Sequence, residues 1–415
     1  MLQSAPPSIE TRESWVVASV GLLAMMMCFG GAWMTAVALK DIAAELGGSR
    51  SIPALASALV WLGSGVGGLI MGQVTDRFGA RWSVMCGSTM IAIGLAISTF
   101  GPPWPLLIGH SIFIGLFGLG GINAPMYIYV SRWFDRRRGS ALALISSGSY
   151  LAGALWPPIF ERVIAHVGWR EAMLIYAVFE MAIVLPFAAI YMRNPPEVVL
   201  PSPTVGNGQA RPRVIGWPSN VVFVMMCFAI ALCCVPMAMP QVHLVAFCGD
   251  IGISKTLGAA ALSTLLGTAF ISRQMWGYIS DRIGGLATVL IGSAWQCSAM
   301  LLFVFTHNEL MLFSVAAAFG LGFSVIIPAY VLASRELFAA SEAAWRIPAL
   351  LGSSAIGMAS GGWLGGLLYD HFGYYAPAFV TGVGANLLNL VIIGTLVLQQ
   401  NRTRGGLPAV TAAAG

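Results

Sequence analysis

Long apolar runs, separated by short polar or Gly/Pro-containing connections, form the pattern of this chain from end to end. Each run has about 20 residues, which as a helix rising about 1.5 Å per residue crosses the roughly 30 Å hydrocarbon layer of a membrane. The strict apolar and polar alternation of a membrane β-barrel is absent. The pattern predicts twelve helical spans. They cover residues 15–39, 53–72, 82–101, 105–130, 140–160, 171–192, 218–247, 258–280, 286–306, 309–333, 347–369 and 376–399.

Composition and charge agree with an all-α integral membrane protein. The 415 residues are 58% hydrophobic and 9% charged, whereas a soluble domain has about 25% charged residues. The net charge of +5 is spread over short connections and does not form the basic face that nucleic acid would require. Fifteen of the 21 basic residues fall on the side of both termini, five on the other side and one, Arg273, inside a span. The positive-inside rule therefore predicts cytoplasmic termini in a multi-pass inner-membrane protein.

The segment between the sixth and seventh spans divides the chain. Residues 193–217 contain Asn-Pro-Pro-Glu, Pro-Ser-Pro and Gly-Asn-Gly, which favour a flexible cytoplasmic linker. We expect a cytoplasmic tail at 1–14, which is polar and unlike a cleaved signal peptide. Six-helix bundles are predicted at 15–192 and 218–399, and a second cytoplasmic tail at 400–415.

The two halves repeat each other in sequence. Gly72-Gln-Val-Thr-Asp-Arg-Phe-Gly79 is matched by Gly277-Tyr-Ile-Ser-Asp-Arg-Ile-Gly284, each position displaced by 205 residues. Gly168-Trp and Gly373-Tyr follow the same displacement. Two matches in one register indicate an internal duplication of six spans.

The Gly-x-x-x-Asp-Arg-x-Gly pattern resembles the signature loop of the major facilitator superfamily, and it stands in both halves at the expected place. A small residue lets helices approach closely, a carboxylate can accept at a helix N-terminus and an arginine can bridge to the adjacent bundle. We expect a cytoplasmic latch that stabilises the outward-open state, although a charged turn alone would show the same residue types. The predicted latch residues are Gly72, Asp76, Arg77, Gly79, Gly277, Asp281, Arg282 and Gly284.

A narrower resemblance follows from two further segments. The entry to the fifth span, Arg132-Trp-Phe-x-x-x-Arg138-Gly139, is similar to that of the oxalate/formate antiporter and monocarboxylate porter branches of the superfamily. The segment from Val245 to Ser254, followed by Arg273 inside the eighth span, is similar to the same branches. The resemblance covers residues 15–400 and implies a twelve-helix transporter that works by alternating access.

Arg273 is the most informative single residue. It lies in an apolar span, where an uncompensated charge costs about 2.5 kcal/mol or more. Its place four residues before Gly277 also allows the side chain to snorkel to the cytoplasmic surface. In the resembled branches an arginine at this position contacts a substrate carboxylate, which a planar guanidinium can bind through two hydrogen bonds. We therefore expect Arg273 to bind an organic anion.

The sequence also departs from those branches. The eleventh span has no counterpart of the lysine found in the oxalate carriers, so a single cation favours a monoanion over a dianion. Trp33 occupies the register of the lysine found in the first span of the monocarboxylate porters, and Ala269 that of an aspartate. The proton site that such an Asp/Arg pair would form is missing, which leaves proton coupling open.

Other polar and aromatic residues in the spans are candidates to line a cavity, although each could equally be an internally bonded packing residue. Asn123 and Tyr127 are four apart and share a helix face. Gln241 and His243 follow Pro240, and His243 could carry a proton because its ordinary pKa is near neutrality. With Arg273, the predicted substrate-binding residues are Asn123, Tyr127, Tyr330, Trp33, His243 and Gln241.

Three functional classes remain in competition. An enzyme would need a nucleophile with its base, a metal cluster or a carboxylate pair, and none is evident, nor is a cofactor or nucleotide motif. A channel or a transporter-like nutrient sensor is a second rival, and a sensor would be expected to have a longer cytoplasmic tail than the fifteen residues after Gln400. We expect a monomeric secondary transporter of a monocarboxylate such as lactate or pyruvate, with a proton as possible co-substrate. The alternative is a larger aromatic or heterocyclic solute such as riboflavin, followed by drug export.

Overall fold

A computed structural model describes residues 10–193 and 213–405, without the side chains at 76, 138, 340, 341, 343, 344 and 404. Over these ranges the chain is almost entirely helical, as predicted. A π-helical stretch spans Gly109–Leu119, and a hairpin pairs β1 (Arg213–Val214) with β2 (Trp217–Pro218). The α-helices are α1 (Arg12–Val37), α2 (Leu39–Glu45), α3 (Ser51–Phe78), α4 (Ala80–Ser98), α5 (Trp104–Ile108), α6 (Gly120–Ser131), α7 (Arg138–Ser146), α8 (Gly148–Tyr191), α9 (Ser219–Asp250), α10 (Lys255–Ile283), α11 (Gly285–Val304), α12 (Glu309–Phe323), α13 (Ile326–Leu337), α14 (Ala340–Phe372) and α15 (Ala376–Gly405).

The long helices match the predicted spans. Within the described residues, nine stretches are long and apolar enough to cross a membrane. One of them, Gly139–Tyr191, contains two helices that meet at Gly168, where φ is 84°. The more polar α10 and α14 have 29 and 33 residues and occupy the predicted eighth and eleventh spans. The chain therefore has twelve long helical passes in the described ranges.

Large apolar side chains on the outside of the molecule agree with a membrane location. Leu69, Val178, Phe228 and Val391 are each 65–70% exposed, and they come from helices in both halves. Water would penalise such a surface, whereas lipid hydrocarbon does not. The multi-pass membrane fold follows from this surface together with the length of the helices.

The internal repeat is visible in the backbone. Gly79 and Gly284, 205 residues apart, end α3 and α10 with φ values of 89° and 84°. Gly168 and Gly373 turn the chain at the next matched pair, with φ values of 84° and 81°. Side chains other than glycine rarely adopt this left-handed region. The duplicated glycines thus set the same helix ends in both halves.

The two halves meet through matching helices. Helix α3 of the first half packs on α14 of the second, and α10 of the second half packs on the first part of α8. Since α3 and α10 are repeat counterparts, as are the first part of α8 and α14, the two contacts are related by pseudo-symmetry.

The predicted linker lies mostly outside the described residues. Of residues 193–217, the structure describes 193 and 213–217. The last of these belong to the β1–β2 hairpin, an ordered element where the sequence predicts a flexible segment. Gly216 at the turn has φ of 81° and lies against Gln399 and Thr403 of α15, which explains the order.

Candidate functional site

Arg273 lies on the face of α10 that meets the first half. Its guanidinium carbon is 5.2 Å from the ring centroid of Tyr150, in α8. It also interacts electrostatically with Tyr127 of α6. The preceding residue, Ser272, is buried. Its hydroxyl forms a hydrogen bond of 2.7 Å with the hydroxyl of Ser324, which follows α12 in the second half. Consecutive helical residues point about 100° apart, so Ser272 anchors α10 while Arg273 faces the partner half.

Within the described residues, the charge of Arg273 has no counter-charge. In the described part of the chain, no carboxylate oxygen lies within 4 Å of its guanidinium. The Arg273 side chain is also half-buried, so solvent solvates its charge only in part. An aromatic face offers partial compensation through a cation–π contact. The arrangement leaves guanidinium donors available to an anion.

Two of the side chains around Arg273 come from the fifth span, which the sequence does not single out. Tyr150 contacts the guanidinium, and Ser147 accepts a hydrogen bond of 3.4 Å from Gln274. Tyr127 bonds to Ser146 in the same segment. The fifth span is rich in small residues, so its sequence does not indicate that it lies beside Arg273. Only the packing of α8 on α10 shows this. Asn123, one turn before Tyr127, is half-buried.

Trp33 and Gln241 form a second group, which lies nearer the side of the molecule opposite the chain ends. They line a cavity of about 20 Å³ together with Phe29, Trp61 and Met358, which has room for roughly one water molecule. The Trp33 indole N–H is buried without a hydrogen-bond partner in the structure. Helices α1 and α3 of the first half and α9 and α14 of the second contribute to this cavity, so it also lies between the halves.

The spacing between these groups can be estimated along α10. Gly153 of α8 lies so close to Leu266 and Trp33 that an added Cβ would be 2.1 Å from Leu266 and 3.1 Å from the Trp33 ring. Leu266 precedes Arg273 by seven residues, about 10 Å along a helix. Trp33 and Arg273 therefore lie at different depths on the surface between the halves, which we call the inter-half passage.

His243 and Tyr330 lie away from this passage. Both are fully buried in the second half. The imidazole of His243 is 3.0 Å from the Tyr375 hydroxyl and 2.8 Å from the Gly362 carbonyl oxygen, so both ring nitrogens have partners. The Tyr330 hydroxyl donates to Asn389 at 2.7 Å. The structure gives each residue an internal packing role and does not bring it to Arg273.

Ion pairs close the passage on the side opposite the chain ends, which we call the distal side. Arg50, at the start of α3, donates to Asp250 of α9 at 2.7 Å, and Lys40 is 3.0 Å from the same carboxylate. Lys255 of α10 pairs with Asp41 of α2. Each pair joins one half to the other. The Arg50 side chain is only 7% exposed, so this contact is poorly screened by solvent.

Two further carboxylates continue the distal closure in a pseudo-symmetric way. Asp370 of α14 accepts from the backbone N–H groups of Arg50 and Ser51 at 2.7 and 2.9 Å, at the start of α3. Glu161 of α8 accepts from the Thr256 hydroxyl at 3.0 Å, at the start of α10. An acid from the partner half thus meets the N-terminal end of each counterpart helix, where the helix dipole favours negative charge.

The predicted latch residues lie on the terminal side, where the ends of α3 and α10 are found. Arg77 is 5.5 Å from the Phe78 ring and Arg282 is 4.1 Å from the Tyr278 ring, so both contact aromatic residues of their own helices. Asp281 is exposed, and the Asp76 side chain lies outside the described residues.

A carboxylate that the sequence does not flag stands beside the second of these loops. The backbone N–H of Gly285, which follows Gly284 at the start of α11, donates to Glu336 at 3.0 Å. The glycines Gly72 and Gly277 have open space around them. The described latch groups therefore do not bridge the halves in this conformation.

Comparison with known proteins identifies the family. The model of the Major Facilitator Superfamily matches residues 21–247 and 221–413. The chain belongs to the Major Facilitator Superfamily. An MFS-type transporter of Aspergillus fumigatus is 24% identical over 83% of each chain. Monocarboxylate transporter 13 of Bos taurus is 26% identical over 81% of this chain and 77% of its own.

Solved structures agree on the fold of this superfamily member. A bacterial homologue of the human lysosomal transporter Spinster, in an inward-facing and unoccupied conformation, superposes with a TM-score of 0.76. The match covers 96% of this chain and all of that one, at 14% sequence identity. At this identity the likeness establishes the fold and leaves the solute to other arguments.

Proposed function

We propose that the protein is a secondary transporter that carries a small monocarboxylate, such as lactate or pyruvate, together with a proton across the bacterial inner membrane. Its termini lie in the cytoplasm in this proposal. Family membership supports a transport function and a multi-pass membrane location. The monocarboxylate, the coupled proton and the bacterial inner membrane are proposed in addition to what family membership supports.

One observation carries the choice of an anion: Arg273 projects into the surface between the halves, and no carboxylate of the described residues is its partner. A substrate carboxylate would supply that partner, and the hydroxyls of Tyr127 and Tyr150 are near enough to the same cation to bond the bound anion. A single cation suits a single negative charge. The name of the bovine relative, a monocarboxylate transporter, agrees with this choice.

The distal ion pairs support alternating access as the mechanism. The distal side is held by Asp250 and its partners, so in this proposal the Arg273 site is reached from the terminal side. Breaking these pairs while the latch residues on the other side engage would expose the same site distally. The transported anion can then cross without an open pore.

Substitution of Arg273 tests the anion site. In proteoliposomes, Arg273→Lys and Arg273→Ala should weaken the apparent affinity for radiolabelled pyruvate by about ten- to a hundredfold, since hydrogen bonds to a charged group contribute about 1.5–3 kcal/mol. Lysine should rescue only part of the loss because it lacks the bidentate fork. Arg335→Lys, at an exposed position of α13, serves as the matched control. Unchanged pyruvate affinity in both Arg273 variants would remove the proposed role.

A larger aromatic or heterocyclic solute is the second candidate, favoured by the cavity that Phe29, Trp33 and Trp61 line about 10 Å beyond Arg273. Lactate and pyruvate are too short to reach both groups. Riboflavin in the same uptake assay separates the two candidates. Uptake of riboflavin that is indifferent to Arg273 substitution, without uptake of pyruvate, would favour the second.

A further inference from the structure

A glutamate in the sixth span is enclosed by helices of the first half. Glu180 of α8 is fully buried. Its Oε1 accepts a hydrogen bond of 3.1 Å from the Cys28 thiol of α1, and its Oε2 accepts one of 3.0 Å from the Ser88 hydroxyl of α4. Three spans therefore meet at this carboxyl group. An acidic residue within an apolar span indicates a functional site, and Glu180 can be recognised as such in the sequence.

The internal repeat provides a comparison for this site. Cys28 and Ser88 have exact counterparts, Cys233 and Ser293, 205 residues later. In the second half the position that matches Glu180 is Ala385, and amides from nearby positions complete the cluster. The Cys233 thiol donates to Gln296 Oε1 at 3.7 Å, and Asn386 donates to the Ser293 carbonyl oxygen at 3.0 Å. A neutral side chain thus completes the same polar cluster where only packing is required. Among the described residues of the two clusters, a carboxyl group occurs only in the first half.

The surroundings of Glu180 favour its neutral form. Its described hydrogen-bond partners are a thiol and a hydroxyl, and among the described ion pairs none includes it. The ionisable side chains that interact with it electrostatically are Cys28 of α1 and Tyr176 of α8, both uncharged at neutral pH, while α4 contributes Ser88. A buried carboxylate without a cation is costly, so a bound proton relieves the cost. The Ser88 hydroxyl can accept from the acid or donate to the carboxylate.

We propose that Glu180 is the proton-binding site of the transport cycle, an inference that rests on the proposed proton-coupled function. An O–H bond forms at the Glu180 carboxylate with a proton from water on the side of higher proton concentration. After the halves rock, that bond breaks and the proton passes to water on the other side. One proton and one monoanion cross together, and the net charge moved is zero. The connection to the solute runs through α1, which holds Cys28 beside Glu180 and packs on α8, the helix that carries Tyr150.

Two transport modes of the full-length protein in proteoliposomes test the proposal. With radiolabelled pyruvate, Glu180→Gln should lose accumulation driven by a pH gradient by about tenfold or more, within the usual range of coupling between two sites. It should retain pyruvate exchange at equal pH, which needs no net proton movement. The amide is the group that the second half already tolerates, so the variant should fold. Cys233→Ser, at the counterpart cluster, is the control and should keep both modes.

Infrared titration of the same reconstituted proteins decides the question independently of the solute. The wild type should show the carbonyl band of a buried protonated carboxyl that disappears at high pH, and Glu180→Gln should lack it. An identical titration in both proteins, or full pH-driven accumulation by Glu180→Gln, would overturn the proposal. If neither protein exchanges pyruvate, the monocarboxylate assignment fails, and the infrared result alone then decides whether Glu180 binds the proton.

Discussion

Arg170 and Glu45 show what an arginine of this chain does when it has a partner. The guanidinium donates twice to the Glu45 carboxylate at 2.6 Å, and the Trp169 indole adds a third bond at 2.9 Å. Arg273 has the same chemistry, and the part of the chain that the structure describes supplies no such carboxylate to it. Sequence alone identifies Arg273, because a charge in an apolar span is conspicuous. It does not identify Tyr150 or Ser147, because their contact with α10 depends on how two distant helices cross.

The hydrogen bond from Arg170 lowers the pKa of Glu45 from its usual 4.5, and the bond from Trp169 acts in the same direction. Because the pKa is lowered by folding, the stabilisation is present above 4.5 and is lost as pH falls through the lower value of the folded state. We expect Glu45→Gln to reduce the melting temperature at pH 7 by about 1–2 °C, since a solvent-exposed pair contributes little. Thermal melting of the purified proteins measures this.

The difference between wild type and Glu45→Gln should shrink when the melts are repeated at decreasing pH below 4.5. Glu171→Gln, one residue beyond Arg170 and exposed, gives the reference for loss of a nearby negative charge. A melting difference that stays constant from pH 7 to pH 3 would contradict the assignment.

The helices are the elements that the sequence predicts most completely. All twelve spans follow from runs of apolar residues, because a backbone in lipid must satisfy its own hydrogen bonds and a helix does so locally. The π-helical stretch at Gly109–Leu119 does not follow from the pattern. It accompanies a close contact with α3, where an added Cβ on Gly67 would be 1.9 Å from the Leu116 carbonyl oxygen. Such a distortion depends on a neighbouring helix, so local sequence cannot predict it.

The distal closure makes a prediction about the ends of α3 and α9. Asp250→Asn removes the carboxylate shared by Arg50 and Lys40, and should shift the protein toward the distally open state. If the lost ion pairs contribute about 1 kcal/mol, the ratio of the distally open to the distally closed state should rise about fivefold. Labelling of a cysteine introduced at Ser57, which lines the inter-half cavity, by an impermeant maleimide from the distal side reports it.

The native cysteines require a parallel experiment without the Ser57 substitution, so that only the added labelling is compared. Glu309→Gln, an exposed acid at the start of α12, controls for loss of charge. Equal labelling of Ser57→Cys with and without Asp250→Asn would show that these ion pairs do not hold the closure.

At the scale of the molecule, the described residues form two six-helix halves that meet at the inter-half passage. The duplication is legible in the sequence because matched glycines recur at a displacement of 205 residues, and their φ values in the structure agree. The packing of α3 on α14 and of α8 on α10 cannot be predicted from the sequence, because it depends on the angle at which the halves meet. That angle also decides which side of the passage is closed.

Topology is the prediction at this scale. Reporter fusions after Arg193 and after Gln400 should both report the cytoplasm, and fusions after Gly47 and Gly252 the opposite side, because fifteen of 21 basic residues lie with the termini. Reporters that are active only in the cytoplasm and only outside it provide paired readouts. Opposite locations for the fusions after Arg193 and Gln400 would refute the even number of crossings.

Sequence by itself determined the twelve spans, the duplication, the superfamily and the presence of a lone arginine in the eighth span, because each depends on local hydrophobicity or on a motif of neighbouring residues. Only the tertiary structure decided which polar residues share the passage. It brought Tyr150 to Arg273, held His243 and Tyr330 in internal hydrogen bonds, and enclosed Glu180 among Cys28 and Ser88. The physical reason is that burial and hydrogen bonding of a side chain are set by helices far away in sequence.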